Sequence, residues 1–386
     1  MSILIFIIIL SALVIVHELG HFLVARWSGI RVDEFGLGFP PKAKTLFTWK
    51  GTPFTLNWLP FGGFVKIFGE NPEPTEEISN SRALPSLRGL PHDENLEISS
   101  ASTGESFQNK NRGIQAAVLA AGVFFNFLFA WVLISIGFVV GLPAPVGMDV
   151  PVENPRTVIT LVLPGSPAGE IGLRSGDAIV SLSRGEEVVP VEGEVLAPEV
   201  ASEFIAASFE PITFTVERGG EVSEKTVVPE DGIIADKPAI GISMDSIGIA
   251  KLPPHLALWH GLTTTWSLTV ATGYGLVDFI LQAFQGDADL SGVAGPVGIV
   301  GMVGDVRELG FAYLLTFAAL ISINLAIINL LPIPALDGGR IVFVAIEAIT
   351  RRRVSPRFFN TVNTAGFLLL ILLMVVITFR DVKNLF

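Results

Sequence analysis

The sequence predicts a polytopic α-helical membrane protein of four spans, with a re-entrant β-hairpin loop and a small inserted α/β domain. Three observations predict it. Half of the 386 residues are hydrophobic and only 16% are charged, well under the usual quarter for soluble chains. Four apolar runs each approach the ~20 residues that cross a bilayer. Acidic charge is concentrated between them: residues 150–240 hold 16 Asp and Glu against 6 Lys and Arg. That imbalance, within a net charge of -12, argues against a nucleic-acid partner. The chain has no cysteine, which excludes disulfides, thiolate metal sites, iron–sulfur clusters and cysteine nucleophiles.

Residues 1–30 form the first span. Ile3 to Val16 carries no charge, and Ser11 is its single polar interruption. A basic leader and a small-residue cleavage site are both lacking before His17, so the run reads as a retained span rather than a signal peptide. It leads directly into His17-Glu18-Leu19-Gly20-His21. Ionisable groups at membrane depth are costly and mark function. Positions i and i+4 share a helix face, so His17 and His21 can grip one metal ion, with Glu18 beside them as general base. His17 lies about 21 Å along the helix from Ile3, at ~1.5 Å per residue.

Residues 31–70 mix glycine, proline and aromatics in short alternating stretches such as Thr52 to Leu59. Non-helical backbone survives at membrane depth only where protein or water satisfies it, and a hairpin loop re-entering beside the metal fits that condition. Residues 71–112 are polar and read as a flexible cytoplasmic linker, in which His92 is a solvated residue. The second span covers 113–141. Residues 150–250 read as a small α/β domain, with β-rich runs at Val158–Leu163, Ala178–Leu182 and Ile212–Val216.

Residues 255–310 are expected to lie on the outer surface, with 257–285 as an amphipathic helix. Residues 311–340 form the third span, 341–358 a cytoplasmic segment and 359–386 the fourth span. The loops after spans one and three carry the basic residues, among them Lys42, Lys44, Lys66, Arg340 and Arg351 to Arg353. The positive-inside rule makes those loops cytoplasmic. The chain is then a multi-pass protein of the cell (inner) membrane, with its metal near the cytoplasmic face and the 150–250 domain outside.

Catalytic zinc wants three protein ligands and one open position. Asn329-Leu-Leu-Pro332-Ile-Pro334-Ala-Leu336-Asp337-Gly338-Gly339 supplies a third. Asp337 closes a span that two prolines interrupt, and the glycines after it permit close backbone approach. Glu18 is the alternative third ligand, but it points about 100° away from His17 on the helix. A carboxylate merely paired with Arg340 is the other reading of Asp337.

These motifs together resemble the site-2 proteases, the intramembrane zinc metalloproteases, and in particular the bacterial regulator-of-sigma-E branch. The resemblance spans nearly the whole chain. It rests on His17 to Phe22, Gly62-Gly63-Phe64-Val65-Lys66, Gly122 to Asn126, Gly295-Pro296-Val297-Gly298-Ile299 and Asn324 to Gly339. Val123 stands where this branch often has proline. Residues 150–250 resemble one PDZ domain, where many members carry two. Ile240-Gly241-Ile242 is the best match to the loop that binds a peptide carboxylate, at a free strand edge.

The resemblance implies hydrolysis of peptide bonds in or beside the transmembrane helix of single-span membrane proteins. Anti-sigma factors and remnant signal peptides are the substrate types, and an upstream site-1 type protease trims them first. It implies Zn2+ held by His17, His21 and Asp337, with Glu18 as base. Gly62, Gly63, Phe64 and Val65 would clamp unwound substrate by edge pairing. Asn324 and Asn329 would offer amides to its backbone, with interhelical hydrogen bonding as the plainer reading of both. Asn126 is open to the same two readings. Two rival classes remain: a catalytically silent PDZ adaptor or chaperone, against which the intact Glu18 counts, and a metal transporter, which lacks a second polar station.

Overall fold

A computed structural model of the chain describes residues 1–70, 105–148, 150–163, 165–190, 195–234, 237–286 and 293–383. The linker expected at 71–112, with His92, lies outside them up to residue 104, as does Pro164. The fold divides into two compact units: Met1–Trp131 with Thr265–Val303 and Ala318–Phe386, and Val132–Thr264 with Gly304–Phe317.

The first unit opens with helix α1, Ser2–Trp27. Its apolar run holds no helix breaker before Gly20. It ends where Gly29 takes φ +66, with Gly29 N–H donating to Arg26 O and Ile30 N–H to Ala25 O. A left-handed glycine closes the last carbonyls in this way. Strands β1 (Val32–Trp49) and β2 (Thr52–Ile67) follow and pair antiparallel. The ribbon doubles back on itself. Phe35 to Leu37 meets Val65, Phe64 and Gly63 on one side and Phe54, Thr55 and Leu56 on the other. Phe22 of α1 packs edge-on against Phe35 and Phe54, which seats the ribbon against the helix. The core around it includes Ile30, Val32, Ile67, Val118 and Val344.

Helix α2 spans Arg112–Val140 and runs antiparallel to α1. His21 meets Val118, while His17, one turn earlier, meets Asn126. A β-carbon at Gly20 would lie 2.5 Å from Ala121 O, so the two backbones touch.

In the second unit, β3 (Leu142–Pro145), β4 (Glu153–Val162), α3 (Pro167–Glu170), β5 (Ala178–Arg184), β6 (Glu187–Val189), α4 (Pro198–Ala206), β7 (Ile212–Arg218), β8 (Glu221–Val227), β9 (Glu230–Ile234), β10 (Lys237–Ala239) and β11 (Ile242–Ala250) follow in turn. One sheet has the order β3-β11-β4-β5-β7-β8, with β6 on β5; β9 and β10 pair separately. Ile159, Leu182, Ile212, Phe214, Val216 and Ile240 fill its core. Asp177, fully buried, takes two hydrogen bonds from the Arg218 guanidinium, at 2.5 and 2.7 Å.

The remaining helices are α5 (Pro254–Gln285), α6 (Pro296–Leu309), α7 (Phe311–Leu330), α8 (Asp337–Thr350) and α9 (Pro356–Lys383). Four spans were expected; the described residues contain five helices long and apolar enough to cross a membrane, with α5 as the fifth and least apolar. The substantial sheet beside them gives the chain a mixed composition. Two α5 contacts differ from a helix lying free on a surface. Gly261 sits against Ser135 of α2, where a β-carbon would fall 2.2 Å from its hydroxyl. Trp266 and Phe127 pack ring to ring.

Candidate metal centre

Three helices deliver the site. His17 and His21 sit one turn apart on α1 and are both buried. Asp337 is the first residue of α8, and it reaches them because the segment before it cannot continue α7. Pro332 and Pro334 interrupt the helix. Ala335 then takes φ +75, held by its N–H donating to Asn363 Oδ1 at 3.1 Å. The glycines that follow are required by space. A β-carbon at Gly338 would lie 2.2 Å from both Leu330 O and Leu331 O, and one at Gly339 2.2 Å from Ile333 O. Gly366 of α9 likewise admits Pro334, whose carbonyl would lie 2.5 Å from a β-carbon there.

The candidate ligand atoms converge. His17 Nε2 is 3.0 Å from Asp337 Oδ2, His21 Nε2 is 3.3 Å from the same oxygen, and the two Nε2 atoms are 3.2 Å apart. A tetrahedral zinc ion with bonds of about 2.0–2.1 Å sets its ligand atoms about 3.3 Å apart. These residues form the one group of His, Asp and Glu near metal-binding spacing among the described residues. The donor set is hard-to-borderline and fits zinc.

The surroundings give each imidazole a partner for its Nδ1, which suits Nε2 to a metal. His21 Nδ1 lies 2.8 Å from Val118 O, a carbonyl that can only accept. Nδ1 therefore carries the proton and Nε2 the lone pair, the usual second-shell arrangement. On the other ring, His17 Nδ1 faces the Asn126 amide at 3.2 Å. Asn126 is fully buried, and its Oδ1 has no hydrogen-bond partner as placed. Turning that amide by 180° presents the oxygen to a His17 Nδ1–H, and amide orientation follows the network. Ser322 of α7 donates to the Asn126 carbonyl at 2.8 Å and ties a fourth helix to the same turn.

Gly122 completes the cradle. A β-carbon there would lie 2.4 Å from His21 Nε2 and 2.7 Å from His17 Nε2. Val118, Gly122 and Asn126 follow at i, i+4 and i+8 along one face of α2. Sequence reading finds the last two only as motif residues. That spacing was the signal for their shared face, whereas the Val118 carbonyl leaves no trace in the sequence.

Glu18 lies between α1 and the ribbon. Its Cγ is 3.7 Å from where a Gly63 β-carbon would be, and the Val65 backbone N–H faces its carboxylate. Gly62 adopts φ +81, and Phe64 covers Gly36. The structure thus brings Gly63 and Val65 to the Glu18 side of the centre. Asn324 and Asn329 lie on α7; Asn324 is exposed, and neither side chain has a hydrogen-bond partner among the described residues. Arg340 pairs with Glu70, while Asp337 faces the histidines. A cleft of about 330 Å3 opens at Asp337, lined also by Ala335, Arg340, Asn363, Thr364 and Phe367. Ile240, Gly241 and Ile242 belong to the second unit: Ile240 is buried, Gly241 takes φ +79, and β11 begins at Ile242.

A family model, peptidase family M50, matches residues 5–373. The chain is similar to the zinc metalloprotease RasP of Geobacillus kaustophilus, with 32% identity across 100% of this chain and 98% of that protein. It is also similar to the regulator of sigma-E protease RseP of Escherichia coli, with 28% identity across 98% of each.

Proposed function

The chain belongs to peptidase family M50, the site-2 proteases, and is a zinc metalloprotease; from that premise we propose that it cleaves peptide bonds within the transmembrane segments of single-span membrane proteins. The observation that carries this reading is the triangle of His17, His21 and Asp337 atoms, 3.0 to 3.3 Å on a side, built from helices apolar enough to cross a bilayer.

Zinc at this centre supplies Lewis acidity toward water and the scissile carbonyl. Glu18 accepts the proton of the attacking water at a carboxylate oxygen and returns it to the leaving amide nitrogen. The substrate must be extended to expose its carbonyls. Gly63 to Ile67 of β2 has β1 on one side only among the described residues, so its outer edge is open to an extended chain. Gly62, Gly63, Phe64 and Val65 then hold substrate backbone next to Glu18. Asn324 and Asn329 carry amides with no interhelical partner among the described residues, which favours their donating to substrate over helix gluing.

Four complete crossings are supported by chain direction in the first unit. Asp337 follows α7 and meets the C-terminal third of α1, so α7 runs parallel to α1 and antiparallel to α2. The chain therefore leaves α2 and enters α7 on the same side, and one unreciprocated crossing by α5 does not fit. Basic residues 351–353 support a centre near the cytoplasmic face, with residues 150–250 outside. The order and turn chemistry of that region support a PDZ-like domain with Ile240-Gly241-Ile242 as its carboxylate loop. Membrane-tethered anti-sigma factors and remnant signal peptides, trimmed first by a site-1 type protease, are the substrate classes.

The test uses proteoliposomes and a fluorescent single-span substrate, with cleavage and bound zinc assayed together for wild type and Glu18→Gln. The expected result is zinc retained and cleavage lost. Equal cleavage by both proteins overturns the mechanism, and a silent adaptor would be unaffected in its partner binding by the substitution.

A further inference from the structure

Arg340 follows Asp337 by three positions on α8, and residues three apart on a helix are neighbours. An arginine so placed is the default partner of a carboxylate at membrane depth. In the structure Asp337 faces His17 and His21 instead, and the Arg340 guanidinium pairs with Glu70. The Arg340 side chain is 23% exposed and that of Glu70 14%, so salt screens this pair little. Glu70 is presented by a fixed turn. It follows β2, where Gly69 takes φ +70 and the Glu70 N–H donates to Ile67 O at 3.3 Å. Phe68 N–H donates to Arg31 O at 2.9 Å, and Phe107 N–H to Phe68 O at 2.9 Å, which ties the turn to the chain around it.

Arg340 stands where two hollows meet. It lines the cleft at Asp337 and also, with Glu70, a cavity of about 320 Å3. Rotation about its side-chain bonds exchanges one carboxylate for the other. The remaining carboxylate of that cavity is engaged: Glu347 accepts from the Arg112 guanidinium at 2.8 Å and from the Val354 N–H at 2.8 Å. Resting on the metal-centre reading above, we propose that Glu70 is a positioning residue that holds Arg340 away from Asp337 and so keeps the third candidate ligand free for zinc. Without Glu70 a largely buried guanidinium loses its counter-charge, which is costly, and the carboxylate within its reach is Asp337. An Arg340–Asp337 pair then competes with the metal for the same oxygens.

The test measures zinc affinity by chelator competition on the full-length protein in detergent, for wild type, Glu70→Gln, Arg340→Gln and the double variant. Glu70→Gln should weaken zinc binding by about 10–100-fold, the range for loss of a group supporting a metal ligand. Arg340→Gln should stay within about threefold of wild type, and the double variant should recover to the level of Arg340→Gln. That recovery separates positioning from lost packing, because removing a second partly buried side chain does not repair a weakened fold. Zinc binding by Glu70→Gln at wild-type strength overturns the proposal, as does a double variant no tighter than Glu70→Gln; both leave the metal centre standing. A wild-type protein that binds no zinc overturns the metal centre and the proposal with it.

Discussion

At Gly122 one missing methyl group makes room for the Nε2 atoms of His17 and His21. Gly122→Ala adds a β-carbon 2.4 Å from His21 Nε2, although alanine favours a helix by about 1 kcal/mol over glycine. That gain is outweighed by overpacking, which costs about 1–3 kcal/mol, and by loss of a metal that binds only the folded protein; the expected outcome is a protein that no longer retains zinc by metal analysis and unfolds at a lower temperature than wild type. Asn126 acts one bond further out. Asn126→Ala removes the partner of His17 Nδ1 and should weaken zinc binding by about 10–100-fold, measured by chelator competition. Asn126→Asp keeps an acceptor oxygen and should retain most of that affinity. Both residues stand in a recognisable motif, yet their roles follow only from which imidazole atoms they face.

At the scale of elements, the loop between α7 and α8 places Asp337 through close backbone contacts. Gly338→Ala sets a β-carbon 2.2 Å from two carbonyl oxygens that cannot rotate away. Zinc retention should fall with it, whereas Gly301→Ala, at a position with nothing within 4 Å, should leave zinc unchanged. A second tie sits at the start of α6. Asp381 of α9 is buried and accepts the Gly298 N–H at 2.8 Å, satisfying one of the orphan amides of a helix N-terminus. Asp381→Ala should cost about 1–3 kcal/mol, seen as a lower unfolding temperature in detergent with zinc still bound. The Gly295-Pro296-Val297-Gly298 segment is legible in the sequence as a motif. Its carboxylate partner, more than eighty positions away, is not.

For the whole molecule, the absence of cysteine makes topology measurable with single introduced thiols. Arg352→Cys should react with a membrane-impermeant maleimide only from the cytoplasmic side, and Ser223→Cys only from outside. Gln285→Cys, at the end of α5, decides the fifth helix. Labelling from outside keeps four crossings; labelling from the cytoplasmic side makes α5 a complete span and overturns the four-crossing topology.

The sequence by itself determined the chemistry and the lengths. His17, Glu18 and His21 lie within one helical turn, so their relation follows from helix geometry, and the spans follow from runs of apolar residues. Both are local properties, and local properties are written in contiguous residues. The tertiary structure decided what depends on approach between distant segments. It set Asp337 against two histidines some 320 positions away, fitted Gly122 and Asn126 around them, folded β1 and β2 back on each other so that Gly63 comes beside Glu18, and laid β3 on half of β11. A single chain carries no direct sign of such pairings, because packing is a property of two surfaces and each is complete only when the other arrives.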